Sequence, residues 1–140
     1  MAGYSETPLA RKLGLTRPLT IVTINAPDDY RRWLGDLPNG VRVADGLRGS
    51  GPVSAVHLFD TRRDAMARHL ARLRPRLEPA GFVWVSWPKK ASKVATDITE
   101  DVIREVALPM GLVDVKVCAV TEVWSGLKLM IRKSEREKSG

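Results

Sequence analysis

Three lysines, Lys89, Lys90 and Lys93, follow directly on the apolar run Phe82-Val83-Trp84-Val85-Ser86-Trp87 and Pro88. Ammonium groups this close act as point charges for a phosphate or a carboxylate, without the geometry that a reaction centre demands. They are the candidate anion- or partner-binding residues. Arg68, Arg72 and Arg76 recur every four residues, one row on a helix, and could contact the phosphates of a nucleic acid. Both groups also fit a merely solvated charged surface. His57 stands in the apolar run 53–59, where a lone histidine more often packs than acts as a base. Cys118 lies in an apolar strand pattern, where burial disfavours the thiolate that a nucleophile needs. No catalytic residue is assigned. With a single cysteine and no second histidine at ligand spacing, no metal site is expected.

The elements that must position these residues are legible in the periodicity. Residues 82–87 are β-branched and aromatic, preceded by Gly81 and stopped by Pro88, as in a strand buried on both faces of a parallel sheet. Further strands are predicted over 20–24, 41–44, 53–59, 113–120 and 127–131, with Ser125-Gly126 as a hairpin turn. Met66, Leu70, Leu73 and Leu77 make one stripe of a helix over 61–77, capped by Asp60 or Thr61. Ile98, Val102, Ile103, Val106 and Ala107 do so over 97–108, where Asp97 and Glu100 fit a capping box. Short helices are expected after Pro8 and after Pro27. The stretch 45–52, DGLRGSGP, lacks the spacing of phosphate-binding loops and precedes a strand, so it reads as a flexible turn. Residues 1–19 form an N-terminal capping segment, 20–132 the domain, and 133–140 a frayed polar tail.

A chain of 140 residues with 44% hydrophobic content suits one compact domain. It carries 23 basic and 16 acidic side chains, a net +7. Residues 51–100 hold nine basic and five acidic groups, hence +4 of that excess. This charge permits an anionic partner. No run of five like charges forms a polybasic arm, so an unidentified protein or small anionic ligand is expected before a nucleic acid. No run of about 18 apolar residues and no secretory core are present, so a reduced cytoplasmic protein without a membrane partner is expected.

The alternation of strands and helices argues for a single α/β, Rossmann-like domain, its sheet mostly parallel with a C-terminal antiparallel hairpin. The segment AMARHLARLRPRLEPAGFVWVSW resembles the helix, turn and strand that follow the fourth strand of class I methyltransferases. The resemblance implies a truncated class I methyltransferase fold, short by about one strand–helix unit. Its topological switch would lie between the strands ending at Ile24 and Phe59. Asn25, Asp45 and Asp60 are the candidate cofactor-binding residues at that crevice; Asp45 ends the second strand, where such enzymes place a ribose-binding acid. The family's glycine-rich turn is replaced here by Asn25-Ala26-Pro27-Asp28-Asp29. Its Cβ atoms and fixed proline φ argue against close cofactor approach, so no cofactor and no measurable S-adenosylmethionine binding are expected. The blocks GYSETPLARKLG and SWPKKASKVATDITEDVIREVALPMGLVDVKVCAVTEVWSGLK are similar to a small bacterial family catalogued as domain of unknown function 3052, which carries no activity to transfer. The expected function is therefore a non-catalytic binding module on a degenerate nucleotide-cofactor fold, taking an acidic ligand or protein. The alternatives are an S-adenosylmethionine-type methyltransferase or related enzyme, and a nucleic-acid-binding protein.

Overall fold

In the computed structural model, which describes residues 7–139, six strands form one sheet in the order β2-β1-β3-β4-β6-β5. They are β1 (Leu19–Ile24), β2 (Val41–Asp45), β3 (Val53–Phe59), β4 (Leu77–Pro88), β5 (Leu112–Ala119) and β6 (Trp124–Ile131). β1 pairs in parallel with β2 and β3, and β3 with β4. β6 runs antiparallel to both β4 and β5. The Rossmann-like α/β architecture with an antiparallel C-terminal pair is thus present.

Every residue of β4 from Gly81 to Pro88 is buried, because helices cover both faces of this central strand. On one face, α3 (Arg63–Leu73) and α4 (Glu100–Ala107) set Met66, Leu70, Leu73, Ile103 and Val106 against Val56, Leu58, Val83 and Val85. On the other, α1 (Leu9–Lys12) and α2 (Tyr30–Leu34) bring Leu13, Leu15, Tyr30 and Leu34 over Ile21, Ala55, Phe82 and Trp84. Each such side chain contributes about 2 kcal/mol by leaving water. The indole of Trp84 donates from Nε1 to the carbonyl of Leu13 at 2.9 Å, which anchors the N-terminal segment to the sheet.

The chain runs from β1 outward to β2 and returns past β1 to β3, so β1 and β3 are neighbours, with Ile24 opposite Leu58. The switch point is where the sequence places it. The return itself is unusual. Parallel strands normally need a crossover of a dozen or more residues, most often a helix. Here only residues 46–52 separate Asp45 from Val53. Arg76 pins this segment, donating from Nε to the Gly51 carbonyl at 2.8 Å and from Nη2 to that of Arg48 at 2.6 Å. DGLRGSGP is therefore a fixed crossover and not a flexible turn.

Four local expectations shift. Helix α4 begins at Glu100, and its N-cap is Thr99, whose Oγ1 accepts from the Val102 amide at 3.1 Å. Asp97 instead reaches to the neighbouring helix: its Oδ1 accepts from the backbone N–H of Arg63, the first residue of α3, at 2.6 Å. Thr96 Oγ1 donates to the Thr61 carbonyl at 2.6 Å, which holds the two segments in register. Helix α3 stops at Leu73, and a 3₁₀ turn over Arg74–Arg76 leads into β4. Ser125 and Gly126 lie inside β6, not in a turn. A Cβ on Gly126 would come within 3.2 Å of Trp84 Cε3, so the glycine serves close packing. The C-terminal residues form a helix, α5 (Lys133–Ser139), where a frayed tail was expected. No helix among the described residues is long and apolar enough to cross a membrane.

Candidate functional site

The last residue of β1 hands the chain to Asn25, whose φ is +60°. This is the left-handed conformation that glycine usually supplies and that asparagine tolerates best among other residues. The side chain is held in place as well: Nδ2 donates to Asp60 Oδ1 at 3.3 Å. The absence of glycine therefore does not abolish the sharp turn after β1. Ala26, Pro27 and Asp28 line a cavity of about 530 Å³ beyond it, and do not fill it. That volume lies within the range of small-molecule pockets.

The cavity spans the carboxyl ends of β1 and β2 and is closed on one side by α3. Thr23, Ile24, Asp45, Gly46, Leu47, Tyr30, Arg31, His69 and Arg72 complete its wall. The Asp45 carboxylate accepts from Thr23 Oγ1 at 3.1 Å and from Arg31 Nη2 at 3.1 Å. The hydrogen bond from Arg31 is the main cause that holds its carboxyl below the usual range, so Asp45 is ionised at neutral pH. It remains 71% exposed, available to a second donor.

At the end of β3, Asp60 is buried. Its Oδ2 lies 2.8 Å from His69 Nδ1, on the second turn of α3. Burial pushes the Asp60 carboxyl above its usual value, while the bonds from His69 and Asn25 work against that shift. A carboxylate behind Nδ1 makes that nitrogen the donor and leaves Nε2 with its lone pair. Among the described residues Nε2 has no hydrogen-bond partner, and the ring lines the cavity. The pair is thus built to accept a proton at Nε2.

Asn25, Asp45 and Asp60 come together at the crevice: two line it, and the third orients Asn25 and His69 from behind. His57 lies elsewhere. It is fully buried, with Nδ1 2.9 Å from Tyr30 Oη and Nε2 2.7 Å from Ser86 Oγ. Burial drives its pKa down to about 3, so it is a neutral core residue. Cys118 is half-buried, and burial raises its thiol pKa. The arginine row diverges: Arg68 lies 3.8 Å from Asp64, Arg72 lines the cavity, and Arg76 clamps the crossover. Lys89, Lys90 and Lys93 sit past the carboxyl end of β4 and do not line the cavity. The acids nearby in sequence are engaged elsewhere: Glu100 and Asp101 both bind Arg104.

Sequence reasoning missed Thr23, Arg31 and His69. Arg31 and His69 reach the site through helix packing, and no spacing in the chain announces that. Thr23 is opposite Asp45 in the β1–β2 ladder, a pairing that only the register reveals.

No family model matches the chain, and no curated protein matches it by sequence. Its fold does have solved counterparts. A putative type 11 methyltransferase from Sulfolobus solfataricus superposes with a TM-score of 0.63 at 12% identity, over 91% of each chain. The Methanococcus jannaschii fibrillarin pre-rRNA processing protein gives 0.60 at 10% identity, over 93% of this chain and 71% of its own. A SAM dependent methyltransferase from Aquifex aeolicus gives 0.56 at 12% identity, over 88% and 87%. At such identities the likeness is one of fold. It nonetheless corrects the expectation of a non-catalytic module on a degenerate fold. The domain superposes on methyltransferases over about nine-tenths of its length, with the switch point, the turn and the crevice all in place. This chain has the class I methyltransferase-like Rossmann fold.

Proposed function

We propose that this domain binds S-adenosylmethionine in the cavity at the switch point and is a methyltransferase. One observation carries the reading. The turn after β1 is left-handed at Asn25, and an ionised, exposed Asp45 ends the adjacent strand across a cavity of about 530 Å³. The residues fit an adenosyl group. Asp45 can accept hydrogen bonds from vicinal ribose hydroxyls, and the Asn25–Asp28 turn lets the ligand approach the backbone. Arg72 and Arg31 suit a carboxylate. When bound, the cofactor supplies a methyl group activated on a sulfonium centre. On the protein's side, His69 Nε2 takes the proton that an acceptor must lose, and Asp60 holds the ring for it. The likeness of the two sequence blocks to the family of domain of unknown function 3052 supports placing the chain in the bacterial cytoplasm.

Calorimetric titration with S-adenosylhomocysteine tests the reading. The wild type should bind with a Kd on the order of 10 µM, inside the range of enzyme KM values. Asp45→Ala should weaken binding about tenfold at only a small cost in melting temperature, because the bonds from Thr23 and Arg31 that it removes end on an exposed carboxylate. Wild-type protein that gives no heat of binding at about 1 mM ligand overturns the proposal.

A further inference from the structure

On the face of the sheet that carries α1, two lysines stand directly opposite each other, Lys116 on β5 and Lys128 on β6. Like charges in such a cross-strand pair destabilise a sheet. No described carboxylate relieves them. Every ion pair that involves Asp114 or the acids of α4 uses an arginine. Lys12 joins the pair from the rim of α1, its Nζ 3.5 Å from the Ala119 carbonyl at the end of β5. Lys128 Nζ lies 4.6 Å from the centre of the Phe82 ring, so its stem is packed and its charge is fixed in place. Lys89 continues the line past Pro88, where its amide donates to the Val123 carbonyl at 2.6 Å. Lys12, Lys116 and Lys89 are all near enough to Cys118 to favour its thiolate electrostatically against burial.

The arrangement is a track. Lys128 is opposite Trp84, and Lys89 lies five residues further along, roughly 17 Å at the rise of a strand. Lys90 and Lys93 extend it at the carboxyl edge, the same edge of the sheet onto which the cavity opens. The track is two strands wide, with α1 along one side. It therefore fits one phosphodiester backbone better than the two of a duplex. Ammonium groups drawn out along one face, with Glu122 at its edge in the β5–β6 turn, suit a polyanion with repeating charge.

We propose that Lys12, Lys116 and Lys128, continued by Lys89, Lys90 and Lys93, bind the backbone of a single-stranded nucleic acid, which is the methyl acceptor of this domain. The acceptor role rests on the methyltransferase reading above, but the binding does not. Fluorescence anisotropy with labelled single-stranded RNA and DNA of roughly twelve nucleotides, without any methyl donor, reads the track alone. Both oligomers should bind, with log Kd rising linearly against log salt. Equal affinities indicate recognition through phosphate alone, and tighter RNA binding adds contacts to the 2′-hydroxyl. The combined variant Lys12→Met, Lys116→Met and Lys128→Met keeps the apolar stems and removes the charges. It should bind at least about tenfold more weakly, and its salt slope should fall by about 2, at roughly 0.7 per lost contact. Its melting temperature should not fall, because a repulsive pair is gone. The three arginine substitutions at these positions should retain binding. Unchanged affinity in the methionine variant overturns the proposal. So does poly-glutamate of matched charge binding as tightly as the oligomers. Because the assay contains no donor, its failure leaves the cofactor site standing, and failure of the calorimetry leaves the track standing.

Discussion

The imidazole of His57 makes two hydrogen bonds inside the core, to Tyr30 and Ser86, and all three polar groups are satisfied only together. Replacing it by leucine strands a phenol and a hydroxyl, at a cost of about 3 kcal/mol, read as a loss in chemical denaturation. Its folded pKa of about 3 lies below the ordinary 6.5. The folded state therefore binds fewer protons there than the unfolded state. This contribution to stability is complete above pH 6.5 and is lost as pH falls toward 3. His57→Leu should flatten the acid limb of the stability curve between those values. Asp60 behaves oppositely. Its folded value is raised, so ionisation in its buried site costs stability as pH climbs through the carboxylate range. Asp60→Asn should melt no lower than wild type at pH 7, yet bind S-adenosylhomocysteine about tenfold more weakly, because Asn25 and His69 lose their common anchor. Asn25, Asp45 and Asp60 could be picked out in the chain because each follows directly on, or ends, a strand. What the chain concealed was the conformation of Asn25. A rule that asks for glycine misses an asparagine that occupies the same backbone region.

Helices and strands follow from hydrophobic period, and the stripes of α3 and α4 lie against the sheet as their spacing requires. The caps were less legible, since the D-x-x-E pattern at Asp97 describes a local cap while the carboxylate finds its donor on another helix. Asp97→Ala and Thr99→Ala should each cost about 1 kcal/mol, the usual value for a lost cap. They differ in where the loss appears. Hydrogen exchange should quicken in the first turn of α3 for Asp97→Ala, and in that of α4 for Thr99→Ala. Gly81 marks the point in β4 where pairing with β3 resumes after an irregularity, with Ala55 opposite Phe82. A Cβ there would lie 2.8 Å from Leu77 Cδ1 and 3.0 Å from the carbonyl oxygens of Glu78 and Ser54. Two of these neighbours are backbone and cannot rotate away. Gly81→Ala should destabilise by about 2–3 kcal/mol in urea titration.

At the scale of the molecule, the sheet order and the seven-residue crossover place an open cavity beside a short return, where a longer domain would carry a further strand and helix. The chain's length indicated the missing unit. It could not indicate that the space left would be bordered by Gly46 and Leu47, or that Arg76 would hold the crossover in place. The charge of +7 is likewise distributed by the fold: arginines are spent on ion pairs and carbonyls, while lysines gather on the β5–β6 face. The central claim is the location of the cofactor, and amide chemical shifts report location directly. In a ¹⁵N-labelled sample titrated with S-adenosylhomocysteine, perturbed amides should cluster at Asn25, Ala26 and Asp28, at Asp45 to Leu47, and at His69 and Arg72. Shifts confined to other surfaces, or no shifts at about 1 mM ligand, would contradict the account.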